Sequence, residues 1–290
     1  MKEILRNAQK EHYAIGSFNF STAEILKAIV AAAQELRSPV IVSTSEGEAG
    51  FIGMREAAAL VEAWRHATKL PIILNLDHGK SLAAIKDAVA AGYNAVHFDG
   101  SSLDYETNVR QTNEAVKFVR QISYEADKEI IVEGELGYLR GSSSLHSEKL
   151  EIRPSDLTSP EQALDFIERT GVDSLAVVIG NAHGVFSAGE EKLYLDRLAE
   201  INKIVGNKVF LVLHGGSGIG ADDIKKAVET GIVKINVNTE LRMAYKKGID
   251  QELKESPQET TPYKILEHSF EEVKKVVEEK IKLFGSENKA

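Results

Sequence analysis

Short runs rich in β-branched and apolar residues recur along the chain at residues 13–20, 39–45, 71–76, 95–98, 129–135, 174–180, 208–213 and 232–237. Between them, apolar positions return with helical spacing, as over residues 23–36, 82–91, 108–126, 161–170, 193–205 and 221–230. Strand and helix therefore alternate, and alternation of this kind implies a parallel sheet. Runs such as PIILNL, SLAVVIG and VFLVL carry apolar residues at successive positions, as strands do when protein covers both faces. Eight such units favour closure into a (β/α)8 TIM barrel over an open sheet. No low-complexity linker divides the chain, so one barrel domain is expected over residues 1–290. The charged stretch 252–261 reads as a polar loop, followed by an additional C-terminal helix at about 262–283 laid across the outside of the barrel.

Composition narrows the function classes. At 290 residues and 43% hydrophobic, the chain can bury a full core. A formal net charge of -9 leaves no basic footprint, which disfavours nucleic acid as a partner. There is no cysteine, so a disulfide framework and a thiolate metal site are both excluded, and a transition metal would have to be held by histidines and carboxylates. The opening residues MKEILRNAQKEHYAIG mix charge with scattered apolar positions. They lack the apolar core of a signal peptide or membrane span, so a cytoplasmic location without a membrane partner is expected.

Three of the eight histidines follow expected strands and precede glycine: His78 in NLDHGK, His183 in GNAHGV and His214 in LHGGSG. Strand ends on the C-terminal face of a barrel converge on one site. Three imidazoles meeting there suit a catalytic zinc with an open coordination position. A single histidine of this kind would more often be a hydrogen-bonded strand-end residue, but three in register favour the metal. His12, His66, His97, His146 and His268 have no such setting and read as surface or packing residues. Asp77 precedes His78, where it can act as a catalytic acid or base or orient a ligand. Asp99 in HFDGS and Glu135 in EGELG also stand at strand ends, placed to hold the metal in an alternative position or to tune its ligands. Glu133 shares a strand face with Glu135, but only Glu135 adjoins the turn.

The seventh strand runs into Gly215, Gly216, Ser217 and Gly218 and then a helix; the eighth ends in Asn236, Val237, Asn238 and Thr239. Loops after strands seven and eight form the recurrent phosphate site of barrel enzymes, helped by backbone N–H groups at a helix N-terminus. Lys234, Ser45 and Asn19, on or after strands, are further candidates to bind a small polar substrate.

At these positions the chain resembles the class II, metal-dependent fructose-bisphosphate and tagatose-bisphosphate aldolases, over nearly its whole length. The matches are FNF with Asn19, SEG with Ser45, LDHG with Asp77 and His78, FDGS with Asp99, ELG with Glu135, GNAHG with His183, LHGGSG with His214 and KINVNTE with Lys234. The resemblance implies reversible aldol cleavage of a ketose phosphate, such as fructose or tagatose 1,6-bisphosphate, to dihydroxyacetone phosphate and an aldehyde. It implies zinc on His78, His183 and His214, with Asp77 exchanging a proton with the aldehyde-derived oxygen and Asp99 and Glu135 at a second metal position. The donor would lie against Gly184, Gly215, Gly216, Ser217, Asn236, Val237, Asn238 and Thr239. A monovalent cation (Na+ or K+) and a homo-oligomer, dimer or tetramer, also follow from the resemblance.

Two departures bear on the substrate. After ELG, family members carry an acidic cluster whose glutamate transfers the carbon-bound proton, whereas this chain reads YLRGSSSLHSEK, leaving Glu148 as the nearest carboxylate. Toward the C-terminus Phe270 stands near the place of an arginine that grips a second phosphate, with Arg140 or Lys264 as substitutes. The donor half reads as intact and the aldehyde half as altered. Two other readings compete: a zinc hydrolase or deaminase on the same barrel, and a non-catalytic zinc and phosphosugar binder. Against the first, the opening strand lacks a His-x-His pair.

Overall fold

The computed structural model describes residues 1–146, 152–186 and 192–290. Among these, ten strands follow one another: β1 (Ile15–Asn19), β2 (Val40–Ser45), β3 (Ile72–Gly79), β4 (Ala95–Phe98), β5 (Ile131–Leu136), β6 (Gly141–His146), β7 (Ser174–Val177), β8 (His183–Phe186), β9 (Phe210–Leu213) and β10 (Ile232–Val237). All but β6 and β8 close into an eight-stranded parallel barrel in the order β1, β2, β3, β4, β5, β7, β9, β10. The TIM-barrel expectation holds. Strands β6 and β8 pair with each other as a separate two-stranded parallel sheet, which puts His183 on an extended segment beyond the barrel strand rather than at its end.

The helices are α1 (Lys2–Glu11), α2 (Ala23–Glu35), α3 (Glu46–Ile52), α4 (Met54–Thr68), α5 (Leu82–Ala91), α6 (Tyr105–Ala126), α7 (Pro160–Thr170), α8 (Leu195–Val205), α9 (Ala221–Glu229), α10 (Thr239–Glu255), α11 (Pro262–Ile265) and α12 (Glu267–Phe284). Several begin where a short polar side chain accepts from the third helical residue: Thr22 from Ile25, Ser81 from Ala84, Asp104 from Thr107 and Ser159 from Gln162. Such caps satisfy backbone donors that have no partner in the first turn.

Inside the barrel, composition changes with height. At the N-terminal end Ile15, Ile41, Ile73, Ala95, Ile131 and Val233 form an apolar cluster, closed from below by Leu5 and Ala8 of α1. Above it the inward positions turn polar: the Ser17 and Ser43 hydroxyls lie 2.8 Å apart and the Asn75 amide donates to Ser43. Higher still stand the histidines and carboxylates. Because side chains alternate along a strand, a strand such as β3 carries Ile73 at the floor and Asp77 near the rim.

A helix for which no expectation was stated opens the chain, and two expectations near its C-terminal end need correction. Residues 2–11 form a helix with its apolar face on the barrel floor. Helix α10 runs to Glu255, so the polar loop begins only at Ser256, and Glu252 is buried within the helix. The final helix is broken at Leu266 into α11 and α12. Helix α12 does lie outside the barrel, burying Val273, Val277, Ile281 and Phe284 against the core.

Helices α10 and α12 meet at Gly248, where a methyl group would overlap the backbone of Ser269. Replacing glycine by alanine in a helix ordinarily gains about 1 kcal/mol. Overpacking against backbone that cannot swing aside costs about 3 kcal/mol, so the clash wins. Gly248→Ala is expected to lower the melting temperature by about 4 °C; an equal or higher value would show that the helices have room.

Candidate active site

The C-terminal rim is organised by how each histidine spends its ring nitrogens. His214, just after β9, directs Nε2 to Glu133 Oε1 at 2.8 Å, and the other oxygen of Glu133 accepts from Lys234 Nζ at 2.8 Å. His78, near the end of β3, directs Nδ1 to Asp99 Oδ2 at 2.9 Å. These carboxylates can only accept, so they take the ring protons and leave His78 Nε2 and His214 Nδ1 with lone pairs. Those two nitrogens lie 3.0 Å apart. Two lone pairs at that distance repel unless a proton or a cation lies between them. The His183 ring stands beside His78, centroid to centroid 4.9 Å, but its nitrogens are not among the ligand atoms of Asp77, His78, His97 and His214 that come within 4.8 Å of one another.

His78 reaches this position through an unusual backbone. Its φ is +53°, and the pairing of β3 with β4 shifts register between Leu76 and Gly79. A left-handed conformation disfavours any residue with a side chain, and such strain concentrates at functional sites. The His78 peptide N–H is satisfied by Nδ1 of His97 at 3.1 Å.

His97 is therefore the residue that sequence reasoning missed. It is fully buried, not a surface residue, and its ring packs edge-on to His78 and beside His214. Since Nδ1 accepts, the ring proton resides on Nε2, which comes within 3.2 Å of Glu135 Oε2 without aligning for a hydrogen bond. Neither oxygen of buried Glu135 accepts a hydrogen bond. The alternation along β4 held the missing signal, because His97 must share the inward face of Asp99. By the same logic Glu133, passed over in favour of Glu135, is inward and paired.

Asp77 is gripped by two amides, Asn19 Nδ2 at 3.0 Å on Oδ2 and Asn236 Nδ2 at 2.9 Å on Oδ1. Each amide keeps a buried carbonyl oxygen with no partner. Burial opposes charge on Asp77, but His78, His214 and Lys234 outweigh it and hold the carboxyl well below its ordinary range. Asp77 lies 3.9 Å from His78 Nε2, beside the histidine group.

A small pocket opens at this rim. Of the residues singled out in the sequence, it brings together Asn19, Asp77, His78, His183 and Gly184 with His214, Gly215, Ser217, Asn236, Asn238 and Thr239. Gly215 has φ +64° and passes so close to the Ala182 backbone that only glycine fits. Other candidates point elsewhere. Lys234 turns its ammonium to Glu133 inside the barrel, not to the pocket, because the buried carboxylate needs a cation. Ser45 caps α3 and donates to Glu48. Val237 alternates outward into the core, and Gly216 donates its N–H to the Asn236 carbonyl. Asp99 and Glu135 flank His78 from the other side. Glu148 lies outside the described residues.

A family model described as fructose-bisphosphate aldolase class-II matches residues 1–289. The chain belongs to the class II fructose-bisphosphate aldolases. This aldolase is 38% identical to the fructose-bisphosphate aldolase of Thermus caldophilus, over 99% of this chain and 98% of the relative. It is 36% identical to the sulfofructosephosphate aldolase of Alkalicoccus urumqiensis, over 100% and 97% respectively. The crystal structure of the YdjI aldolase from Escherichia coli K12 superimposes with a TM-score of 0.84 at 37% identity, covering 100% of this chain and 98% of that one. The aldolase is thus a carbon–carbon lyase on a TIM barrel.

The side chains suit a divalent metal. Ligand atoms of Asp77, His78, His97 and His214 fall within 4.8 Å of one another, as do those of His78, Asp99 and Glu135. The opposed lone pairs of His78 and His214 and the unpartnered Glu135 oxygens are what a cation would resolve.

Without metal, a proton must take that place, and this sets the pH dependence of the aldolase. Burial disfavours charge on His78, but Asp77, Asp99 and Glu135 outweigh it and raise the imidazole from 6.5 to about 10. That stabilisation is complete below about pH 6.5 and is lost as pH rises through the folded value. Burial, reinforced by His78, pushes His183 down to about 4, so stability also falls as pH drops from about 6.5 toward that value. The metal-free aldolase should show its highest denaturant midpoint between about pH 6 and 7, and added divalent metal should move the maximum upward. A midpoint that stays flat from neutral to alkaline pH would refute the assignment.

Proposed function

We propose that this aldolase is a zinc enzyme that reversibly cleaves a ketose phosphate to dihydroxyacetone phosphate and an aldehyde, with the barrel over residues 1–290 as a single catalytic unit. The observation that carries the proposal is the pair of ring nitrogens, His78 Nε2 and His214 Nδ1, opposed at 3.0 Å beside a doubly hydrogen-bonded Asp77. His78, His183 and His214 would hold the zinc, with Asp99 and Glu135 offering a second position. When bound, the metal supplies Lewis acidity toward the donor's carbonyl and hydroxyl oxygens, stabilising the negative charge that develops there.

The protein's own groups do the rest. Asp77 is ionised, so in cleavage it takes the proton of the substrate hydroxyl whose oxygen becomes the aldehyde, and in condensation it returns that proton. The Asn19 and Asn236 amides hold its two oxygens, and their unpartnered carbonyls accept from substrate hydroxyls. Gly184, Gly215 and Ser217, with Asn238 and Thr239 at the start of α10, cradle the donor phosphate, where backbone N–H groups and the helix dipole favour an anion. A monovalent cation, Na+ or K+, would sit beside that phosphate. Glu148 is the carboxylate proposed to move the carbon-bound proton. A cytoplasmic dimer or tetramer completes the reading; no helix among the described residues is long and apolar enough to cross a membrane.

The aldehyde half is proposed to lack a grip on a second phosphate. Arg140 is engaged by both oxygens of Asp156, and Lys264 pairs with Glu259. Phe270 packs against the core, with Lys27 over its ring. The relative from Alkalicoccus urumqiensis is by name a sulfofructosephosphate aldolase, which supports an aldehyde end that differs from a phosphate.

Two measurements test the reading. His183→Ala should lose zinc and activity together, whereas Asp77→Asn should keep one zinc per chain and lose about 10²- to 10⁴-fold in turnover. Zinc lost equally from both would make Asp77 a structural partner of His78. Separately, kcat/KM for fructose and tagatose 1,6-bisphosphates should not exceed that for ketose 1-monophosphates; a bisphosphate preference of about a hundredfold would restore a second phosphate site.

A further inference from the structure

Glu48 lies on α3, the helix that follows β2 at the pocket rim, and is 9% exposed. Its carboxylate is a hub. Oε2 accepts from Asn19 Nδ2 at 2.9 Å, from the Ser45 peptide N–H at 2.8 Å and from the Ser45 hydroxyl at 2.9 Å. Oε1 accepts from Asn238 Nδ2 at 3.2 Å and from Arg242 Nη2 at 2.7 Å. The donors come from the ends of β1 and β2 and from the start of α10, three separate parts of the rim. Capping α3 requires only the exchange with Ser45. The contacts to Asn19, Asn238 and Arg242 lie beyond what the helix needs.

The bond to Asn19 has a definite consequence. An amide nitrogen carries two protons, and here one goes to Glu48 and the other to Asp77, both carboxylates that can only accept. The Asn19 amide therefore has one orientation, with Oδ1 turned away from both. That oxygen is buried, unpartnered and part of a residue lining the pocket. With Asp77 alone as anchor, the amide could swing about one hydrogen bond. With Glu48 as the second anchor, an acceptor is held beside the carboxylate that handles the aldehyde-derived oxygen.

We propose that Glu48 is a positioning residue for the aldehyde half of the substrate: through Asn19 it presents a fixed acceptor to a substrate hydroxyl, with Arg242 and Asn238 holding the carboxylate in place. The inference rests on the ketose-phosphate reading above. It commits to the substrate's chemistry as well, since an acceptor fixed at this point selects an aldehyde half that bears a hydroxyl over one that is deoxygenated there.

The experiment compares Glu48→Gln, Asn19→Ala and the double variant with the wild-type enzyme carrying its metal. Two rates are read: cleavage of a ketose 1-phosphate, and exchange of the carbon-bound proton of dihydroxyacetone phosphate alone, which does not engage the aldehyde half. Glu48→Gln should lower kcat/KM for cleavage by about 30-fold while slowing donor exchange by less than about threefold. The retained exchange shows that the variant is folded and loaded. The double variant should be no worse in cleavage than Asn19→Ala, because Glu48 acts through that amide. Equal losses in both rates, or losses that multiply in the double variant, would make Glu48 a structural cap only and overturn the proposal. A wild-type protein that neither cleaves ketose phosphates nor exchanges the donor proton would instead overturn the ketose-phosphate reading, and this inference with it.

Discussion

The buried chain from Lys234 through Glu133 to His214 is the interaction on which the site depends. Glu133 alone inside the barrel would be an uncompensated charge, and removing one partner of a buried pair costs about 3–5 kcal/mol. With Lys234 on one oxygen it remains ionised, held well below its ordinary range despite burial. Because it is ionised, its other oxygen must take a proton from His214 Nε2, which frees Nδ1 to face the pocket. The same logic repeats at His78, where Asp99 takes the Nδ1 proton and frees Nε2. The site's capacity for a cation is thus set from below, by carboxylates that fix which ring nitrogen carries hydrogen.

A second layer works by exhausting donors. Asp77 receives the amides of Asn19 and Asn236, and Glu48 receives the remaining proton of Asn19. The Asn19 amide is thereby oriented, and both amides leave a buried acceptor without a partner. In a folded protein such groups are rare because each costs desolvation energy that nothing repays. Their clustering in one pocket, beside two opposed imidazole nitrogens and the unpartnered Glu135, is what the proposed substrate and metal site rests on. His97 belongs to this layer as a donor-side support. By accepting the His78 peptide N–H it sustains the left-handed turn that swings that imidazole over the barrel.

The donor side, from Gly184 and Gly215 to Thr239, follows motifs common to the class II aldolases. On the reading proposed here the aldehyde side is the part that departs from the resemblance, at Ser142 and Ser143 and at Phe270. A fructose-bisphosphate aldolase and a sulfofructosephosphate aldolase resemble the chain at 38% and 36% identity, so overall similarity does not choose between their substrates. On the proposed reading the choice falls to a few rim residues, since function lies in sites carried by a fold and not in the fold itself.

What the sequence by itself determined was the architecture and the motif-bearing half of the site. Eight apolar runs alternating with helical spacing define a parallel barrel, because strands covered on both faces have no polar side to show. Of the three His-Gly steps that marked metal candidates, His78 and His214 stand at barrel strand ends, which the topology sends to one rim, while His183 opens β8 outside the barrel. What only the tertiary structure decided was the direction of each inward side chain and the proton on each ring. His97 and Glu133 are single residues whose importance comes from neighbours on other strands, His78 and Lys234, and no local pattern records that pairing. The helix at residues 2–11 was missed because its apolar face is short and makes sense only against the barrel floor. Lys234 reads as a substrate ligand until the register sets it opposite Glu133, since hydrogen bonds between distant strands depend on closure of the sheet and not on spacing along the chain.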